Sequence, residues 1–325
     1  MKILTLCTAT VWLSAAVACA ERPVFIDPAE AAGHPDYAIQ GEYAGQTAPE
    51  TPWGLQVGSA GGEFFGVLYP GGLPGDGWSR EGGDKVELSG KRANEVVELT
   101  GDGAPTLRYH DGSFQVLADD GEVLGTLEKT VRESPTMGKE PPEGAIVLFD
   151  GSGVDAWGRN KGMTDDGLLR EGATTAQEFG DMQFHLEFKT AFMPGHGSQG
   201  RANSGVYIMN RYEVQILDSF AMPAKFDGCG SLYREQAPAI NMSFPPLVWQ
   251  TFDIDFRAPR FDSDGNKTEN ARITVRHNGV LIHDDLELEK GTGAGGRRAE
   301  VPKAELYLQD HGDPIRFRNV WLVEP

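Results

Sequence analysis

Glu213 and Gln215 stand two residues apart in Tyr212-Glu213-Val214-Gln215-Ile216-Leu217-Asp218-Ser219, where apolar and polar residues alternate. An extended chain sends successive side chains to opposite faces. Tyr212, Val214 and Ile216 therefore face one way, and Glu213 and Gln215 the other. A carboxylate beside an amide can move a proton and read hydroxyl groups, which suits a polar ligand such as a sugar. Leu308-Gln309-Asp310-His311-Gly312 carries a second such pair, because Gln309 and His311 share a parity. If the two strands are neighbours, Glu213, Gln215, Gln309 and His311 line one cleft. Glu213 is then a candidate base, His311 an acid or base, and the two amides hydroxyl readers. Arg318 is a candidate to hold a negative oxygen. Tyr207 and Tyr233 are candidates to stack on a sugar ring, and Asn203 and Asp218 to contact it. Each has a plain structural alternative. Arg318 can pair with Asp310 or Glu213, His311 and Asn203 can shape turns, and the tyrosines can simply pack.

Other chemistries find less support. Glu213-x-Gln215-x-x-Asp218 is similar to the carboxylate strand of laminarinase-like jelly rolls. Here an amide replaces the middle acid, and Asp218 has the opposite parity from Glu213. The paired carboxylates of an ordinary retaining glycosidase are therefore not in place. Asp262-Ser263-Asp264-Gly265-Asn266 has the flavour of a calcium loop, but Ile273 stands where the bidentate Glu belongs. A solvated hairpin tip fits it better. No cofactor is expected, and a divalent metal is possible without support from spacing. Cys229, in Gly228-Cys229-Gly230, reads as a small packed residue, since no cysteine-enzyme signature surrounds it.

The elements that must position these groups are strands. Among 325 residues, 42 are Gly and 20 Pro, and they punctuate many short apolar runs with no long helical periodicity. The fold class is all-β. Residues 36–131 hold seven such runs between Gly54 and Leu127 and read as a smaller β-rich domain, a sandwich or roll. Residues 132–143 contain two adjacent prolines without apolar periodicity and read as a linker. Residues 144–325 form the larger unit. Met182, Phe184, Leu186 and Phe188 alternate with polar residues there, and Asn278-Gly279 between two apolar runs marks a tight hairpin. Nine or more strands predict two packed antiparallel sheets, a jelly-roll β-sandwich.

Residues 1–20 read as a secretory signal, with Lys2, an apolar stretch too short to span a bilayer comfortably, and Ala18-Cys19-Ala20. The protein is expected to be secreted or periplasmic. Lipoprotein anchoring at Cys19 is the rival, and it lacks the usual large aliphatic residue three places earlier. A formal charge of −19 repels phosphate backbones and anionic lipids, so nucleic acid and membrane surfaces are poor partners. Oligomeric state is not legible.

The second unit resembles the 3-keto-disaccharide hydrolase family, a concanavalin A-like jelly roll, over about residues 144–325. The resemblance rests on an ordered set of segments. They are Leu148-Phe149-Asp150-Gly151 with Trp157, Asp181 to Phe188, Asn203-Ser204-Gly205-Val206-Tyr207, Tyr212 to Ser219, Cys229-Gly230-Ser231-Leu232-Tyr233, Trp249 to Ile254, Leu308 to Gly312, and Phe317-Arg318-Asn319-Val320. The departures, at Ser152 to Ala156 and Arg260 to Asn270, fall in connections. The resemblance implies cleavage of sugars oxidised at carbon three. The ketone acidifies the carbon-two hydrogen, a base removes it, and the glycosidic oxygen leaves by elimination before water adds back. A small carbohydrate is the implied partner. The alternative is a lectin-like, non-catalytic glycan-binding module, because jelly rolls host many lectins.

Overall fold

The computed structural model describes residues 22–47, 50–79, 83–93 and 96–325. The signal segment, Cys7 and Cys19 lie outside the described residues. No helix among those described is long and apolar enough to cross a membrane.

The first unit is a closed eight-stranded antiparallel barrel, rather than the sandwich or roll that the sequence suggests. Its strands run Gly41–Thr47, Thr51–Ala60, Glu63–Pro70, Val86–Ala93, Val96–Thr100, Thr106–His110, Ser113–Leu117 and Val123–Thr130. Closure comes from the first, which pairs with both Thr51–Ala60 and Val123–Thr130. Gly45 makes that closure possible, since a Cβ there would stand 2.2 Å from the Thr126 carbonyl oxygen. Tyr43, Leu55, Phe64, Leu99, Phe114 and Leu127 fill the interior, which makes it a packed core.

The second unit is a jelly-roll sandwich. One sheet runs in the order Ile146–Phe149, Ile315–Val323, Met182–Thr190, Gln250–Arg257, Ala271–His277 and Val280–Leu288, with Leu169–Arg170 also on the Ile315–Val323 strand. The other runs Trp157–Arg159, Ala173–Phe179, Ala304–Leu308, Ser204–Ile208, Tyr212–Ile216. Phe184, Leu186, Phe188, Phe252 and Ile254 meet Val206, Tyr212, Val214, Ile216, Leu306 and Leu308 in one core. That shared core fixes which side chains point outward on each sheet. Asn278 and Gly279, with φ of 48° and 78°, form the tight hairpin turn read from the sequence. Cys229 is free and buried, and burial pushes its thiol up to about 11.

Residues 132–143 do not hang free between the units. Their polar groups are bonded down onto the outer face of the larger sheet. Ser134 Oγ lies 2.6 Å from Thr251 Oγ1, Thr136 Oγ1 donates to Asp253 (2.7 Å), and the Gly138 N–H donates to Glu187 (2.6 Å). The Lys139 carbonyl accepts from Asn319 (3.0 Å) and Trp321 (3.3 Å). Gly279 is needed beneath this strap, because its Cβ would meet Pro135 Cγ at 2.4 Å. Sequence patterning misses such a strap because bonds to distant residues leave no local period.

Glu187 is the strap's electrostatic anchor. Burial raises its carboxyl, but hydrogen bonds from His185, Asn319, Arg318 and the Gly138 N–H outweigh that and hold it down at about 2. A carboxylate depressed by folding contributes stability that is complete above the unfolded value near 4.5 and is lost as pH falls through about 2. Glu187→Gln is expected to cost about 1–3 kcal/mol at neutral pH and to make residues 132–143 cleavable by protease. The difference from wild type should shrink in acid unfolding below pH 4. A strap cut at equal rates in both proteins at pH 7 would refute this anchoring.

Candidate active site

Glu213 lies on the outer face of the five-stranded sheet, midway along its edge strand. Its strand neighbours Tyr212 and Val214 are in the core, so its own side chain turns away from it. It is nevertheless only 2 % exposed. Tyr207, directly across the ladder, donates its hydroxyl to Glu213 Oε2 at 2.7 Å. The Glu213 N–H donates to Thr292 Oγ1 (2.7 Å), which ties a glycine-rich loop over the carboxylate. The segment from Cys229 to Tyr233 runs along the strand's free edge through Gln215 N–H to Ser231 O and Tyr233 N–H to Glu213 O. This brings Tyr233 beside the acid. A Cβ on Gly293 would lie 2.7 Å from the Tyr233 ring and 3.2 Å from Glu213 Oε2. Tyr233 and Gly293 also line an open groove of about 530 Å³.

The Gln215 amide stands with its nitrogen toward Glu213 Oε1 (3.1 Å) and the Ser204 carbonyl (2.7 Å). The reverse orientation sets the nitrogen on Gln199 and Asn203 (3.2 and 3.4 Å). It would then turn the amide oxygen onto two acceptors, one of them an acid, so the first is preferred. Gln309 donates to the Tyr207 hydroxyl at 3.3 Å, while its Oε1 is buried with no partner among the described residues. Asn203 closes the group, bonded to the Gln199 carbonyl at 2.8 Å. Burial drives the Glu213 carboxyl up to about 7, and the Tyr207 hydrogen bond pulls it down only in part. Tyr207 is itself raised, first by burial and then by the Glu213 charge. A buried glutamic acid poised near neutrality can both take and return a proton.

The structure thus joins Glu213, Gln215, Gln309, Tyr207, Tyr233 and Asn203, and it places three expected residues elsewhere. Arg318 sits on the Ile315–Val323 strand of the opposite sheet. There it donates to Glu187 (2.6 Å) and stacks 4.1 Å from the centre of the Trp249 ring. Neither Asp310 nor Glu213 is its partner, and Asp310 pairs with Lys161 at 2.7 Å. Asp218, past the strand's end at Ile216, is buried in an ion pair with Arg201 (2.6 Å). His311 is exposed in a turn after the strand ends at Leu308, so the alternation that aligned it with Gln309 no longer applies. At the hairpin tip the Asp262 carboxylate accepts from the Asp264 and Asn266 N–H groups. No group of three or more His, Cys, Asp or Glu that could hold a metal ion occurs among the described residues.

Thr292, Gly293 and Gly205 are site residues that sequence reasoning missed. Asn203-Ser204-Gly205 reads as a turn, yet Gly205 is inside a strand, and its Cβ would lie 2.4 Å from Glu213 Oε1. Gly205→Ala is therefore expected to push the carboxylate off Tyr207 while the sheet stays intact. Activity should fall at least tenfold with circular dichroism unchanged, and full activity in the folded variant would overturn this reading of the glycine.

The model of a family described as a 3-keto-alpha-glucoside-1,2-lyase-like domain matches residues 144–323. The chain belongs to this family. The match covers the whole jelly roll and every residue of the Glu213 cluster, and it makes the protein carbohydrate-active. A solved structure from Parabacteroides distasonis ATCC 8503, described as a putative glycosyl hydrolase, is 33 % identical. It covers 57 % of this chain and 85 % of its own, with a TM-score of 0.52. Two others from that organism, described in the same words, are 17 % and 21 % identical, with TM-scores of 0.41 and 0.40. Each covers 56 % of this chain, against 94 % and 99 % of its own. No curated protein matches the chain.

Proposed function

We propose that the protein is an extracytoplasmic enzyme that cleaves 3-keto-glycosides, with Glu213 moving the proton at carbon two. The observation that carries this reading is a single buried carboxyl held near pH 7 beside the Tyr207 hydroxyl. An ordinary retaining glycosidase needs a second carboxyl about 5–5.5 Å from the first. The Glu213 carboxylate is instead bonded by Tyr207 and Gln215. Elimination from a 3-keto sugar needs a base, a proton for the leaving oxygen and a donor for the enolate. Glu213 takes the carbon-two proton, the carbon–oxygen bond to the aglycone breaks, a carbon–carbon double bond forms in conjugation with the ketone, and the proton passes from Glu213 to the leaving aglycone oxygen. Tyr207 and Gln309, hydrogen-bonded to each other at 3.3 Å, are the candidates to read the sugar's hydroxyl groups. Water addition across the double bond then completes net hydrolysis.

Turnover of 3-keto-trehalose or 3-keto-lactose in heavy water tests the route. Solvent deuterium is expected at carbon two of the product, and the parent disaccharides are expected to stay uncut. Product without deuterium, or equal cleavage of unoxidised sugars, would exclude elimination.

A further inference from the structure

The groove of about 530 Å³ beside Glu213 is lined by three cations, Arg234, Lys290 and Arg297, and by one carboxylate, Glu235. That balance reverses the chain's own, which has 48 acidic residues against 29 basic ones. Glu235 lies 3.5 Å from Lys290. No ion pair among the described residues closes on Arg234 or Arg297, and both side chains are exposed. The Arg234 guanidinium lies over the Tyr233 ring, 5.2 Å from its centre. That contact uses the face of the guanidinium and leaves its N–H donors to a ligand.

The groove walls are built by specific local structure. Arg234 has a φ of 64°, in the left-handed region that glycine or asparagine takes more easily. Its N–H donates to the Phe226 carbonyl at 2.8 Å, which holds that conformation. The opposite wall is the glycine-rich loop over residues 290–297, folded onto Arg211. The Thr292 N–H donates to the Arg211 carbonyl (2.8 Å), and the Gly296 N–H to the Thr292 carbonyl (3.0 Å). No side chain fits at Gly295, whose Cβ would stand 2.2 Å from the Arg211 carbonyl oxygen. Arg297 ends the short helical turn Gly295–Arg297 that this packing sets in place.

The acidic surface elsewhere does not forbid an anion here. Screening confines charge effects to about 8 Å at physiological salt, so a small anion in the groove meets the nearby cations first. A guanidinium matches the oxygens of a carboxylate or sulfate with paired N–H groups. Tyr233 borders Glu213 at Gly293 and carries Arg234 over its ring. An anionic group held at Arg234 therefore belongs to the sugar unit next to the reacting one.

We propose that the Glu213 site takes an acidic glycoside, whose leaving unit carries a carboxylate or sulfate held by Arg234 and Arg297. This rests on the reading of Glu213 as the group that moves the carbon-two proton. The anion seats the substrate and adds no step to the chemistry.

Two sets of ligands test it, and they separate this inference from the reaction beneath it. Methyl β-glucuronide, methyl β-glucoside and the sulfate ester of the latter are titrated into the full chain, and none of them carries a ketone. At least one acidic ligand is expected to bind about tenfold tighter than the neutral one, with the advantage lost at high ionic strength. The tighter of the two names the anionic group. Turnover is then compared, as kcat/KM, for 3-keto-glucosyl-glucuronate and 3-keto-glucosyl-glucose, with the acidic substrate favoured about tenfold or more. Arg234→Gln and Arg297→Gln should each cut the acidic-over-neutral ratio by about fivefold to tenfold, the worth of a charge-assisted hydrogen bond in an open groove. Arg297→Gln decides the matter should Arg234→Gln fail to fold. Equal binding of all three ligands, or an unaltered ratio in both variants, would overturn the acidic substrate, and cleavage of the neutral 3-keto sugar would leave elimination standing. Tight binding of the acidic ligands without turnover of either 3-keto substrate would do the reverse, sinking the reaction and keeping the groove's preference.

Discussion

Glu213→Gln is expected to lower turnover of a 3-keto-glycoside by about a hundredfold to ten-thousandfold, the usual worth of a general base. The amide keeps the shape and can still accept from Tyr207, so binding of an unreactive sugar should stay near wild type. In wild type, kcat/KM should rise as pH passes through about 7, where Glu213 loses its proton. The variant should lack that limb. His311→Asn is the matching comparison. A loss as large as that of Glu213→Gln would return the base role to the exposed histidine. Stability gives an independent reading. Burial raises the Glu213 carboxyl from 4.5 to about 7, so the folded state holds a proton that the unfolded chain releases. Stability from this group is present below about pH 4.5 and is lost as pH rises through about 7. Glu213→Gln should therefore be more stable than wild type at pH 8, by on the order of 3 kcal/mol. A variant that unfolds more easily at pH 8 would refute the buried, strained carboxylate.

Asp218→Ala is expected to cost about 3–5 kcal/mol, the usual penalty for stranding a buried charge. Arg201 is 1 % exposed and donates to Asp218 at 2.6 Å. Its other arm reaches out of the jelly roll to the Ser59 carbonyl of the barrel at 2.8 Å, and its guanidinium stacks 5.6 Å from the centre of the Phe65 ring. One ion pair thus ties the strand that carries Glu213 to the barrel wall. Loss of Asp218 should lower the denaturation midpoint and also loosen the contact between the units. Scattering that shows an unchanged shape together with a midpoint within about 0.5 kcal/mol of wild type would sink this account. Replacing both partners with apolar residues of similar size should recover much of the loss, because the desolvation cost of both charges is removed together.

Much of the jelly roll was legible because strand parity is a local property. Tyr212, Val214 and Ile216 must face the core if any of them does, and that alone sends Glu213 and Gln215 outward together. The same logic grouped Gln309 and His311 with that face. It failed at His311 because parity holds only while the chain stays extended, and the strand stops at Leu308. Arg318 failed for another reason. Alternation tells which side of its own sheet a residue takes, but not which of two sheets its strand joins, and pairing with Met182–Thr190 set Arg318 on Glu187. The barrel's first strand, Gly41–Thr47, escaped notice because Gly-Glu-Tyr-Ala-Gly-Gln-Thr has little apolar alternation. Its place is fixed by pairing on both edges, which only closure supplies.

By itself, then, the sequence determined the all-β class, many of the strands, the family and the outward face of Glu213. The tertiary structure alone decided the environment of that acid. Burial is a sum over Tyr207, Thr292, Gly293 and Tyr233, which are distant from one another in the chain. It is this burial, rather than anything in the Tyr212–Ile216 strand, that lifts a glutamate to about 7. The structure likewise decided that residues 132–143 lie bonded across a sheet. Hydrogen bonding and desolvation depend on which groups meet, and residue order within a segment does not encode that.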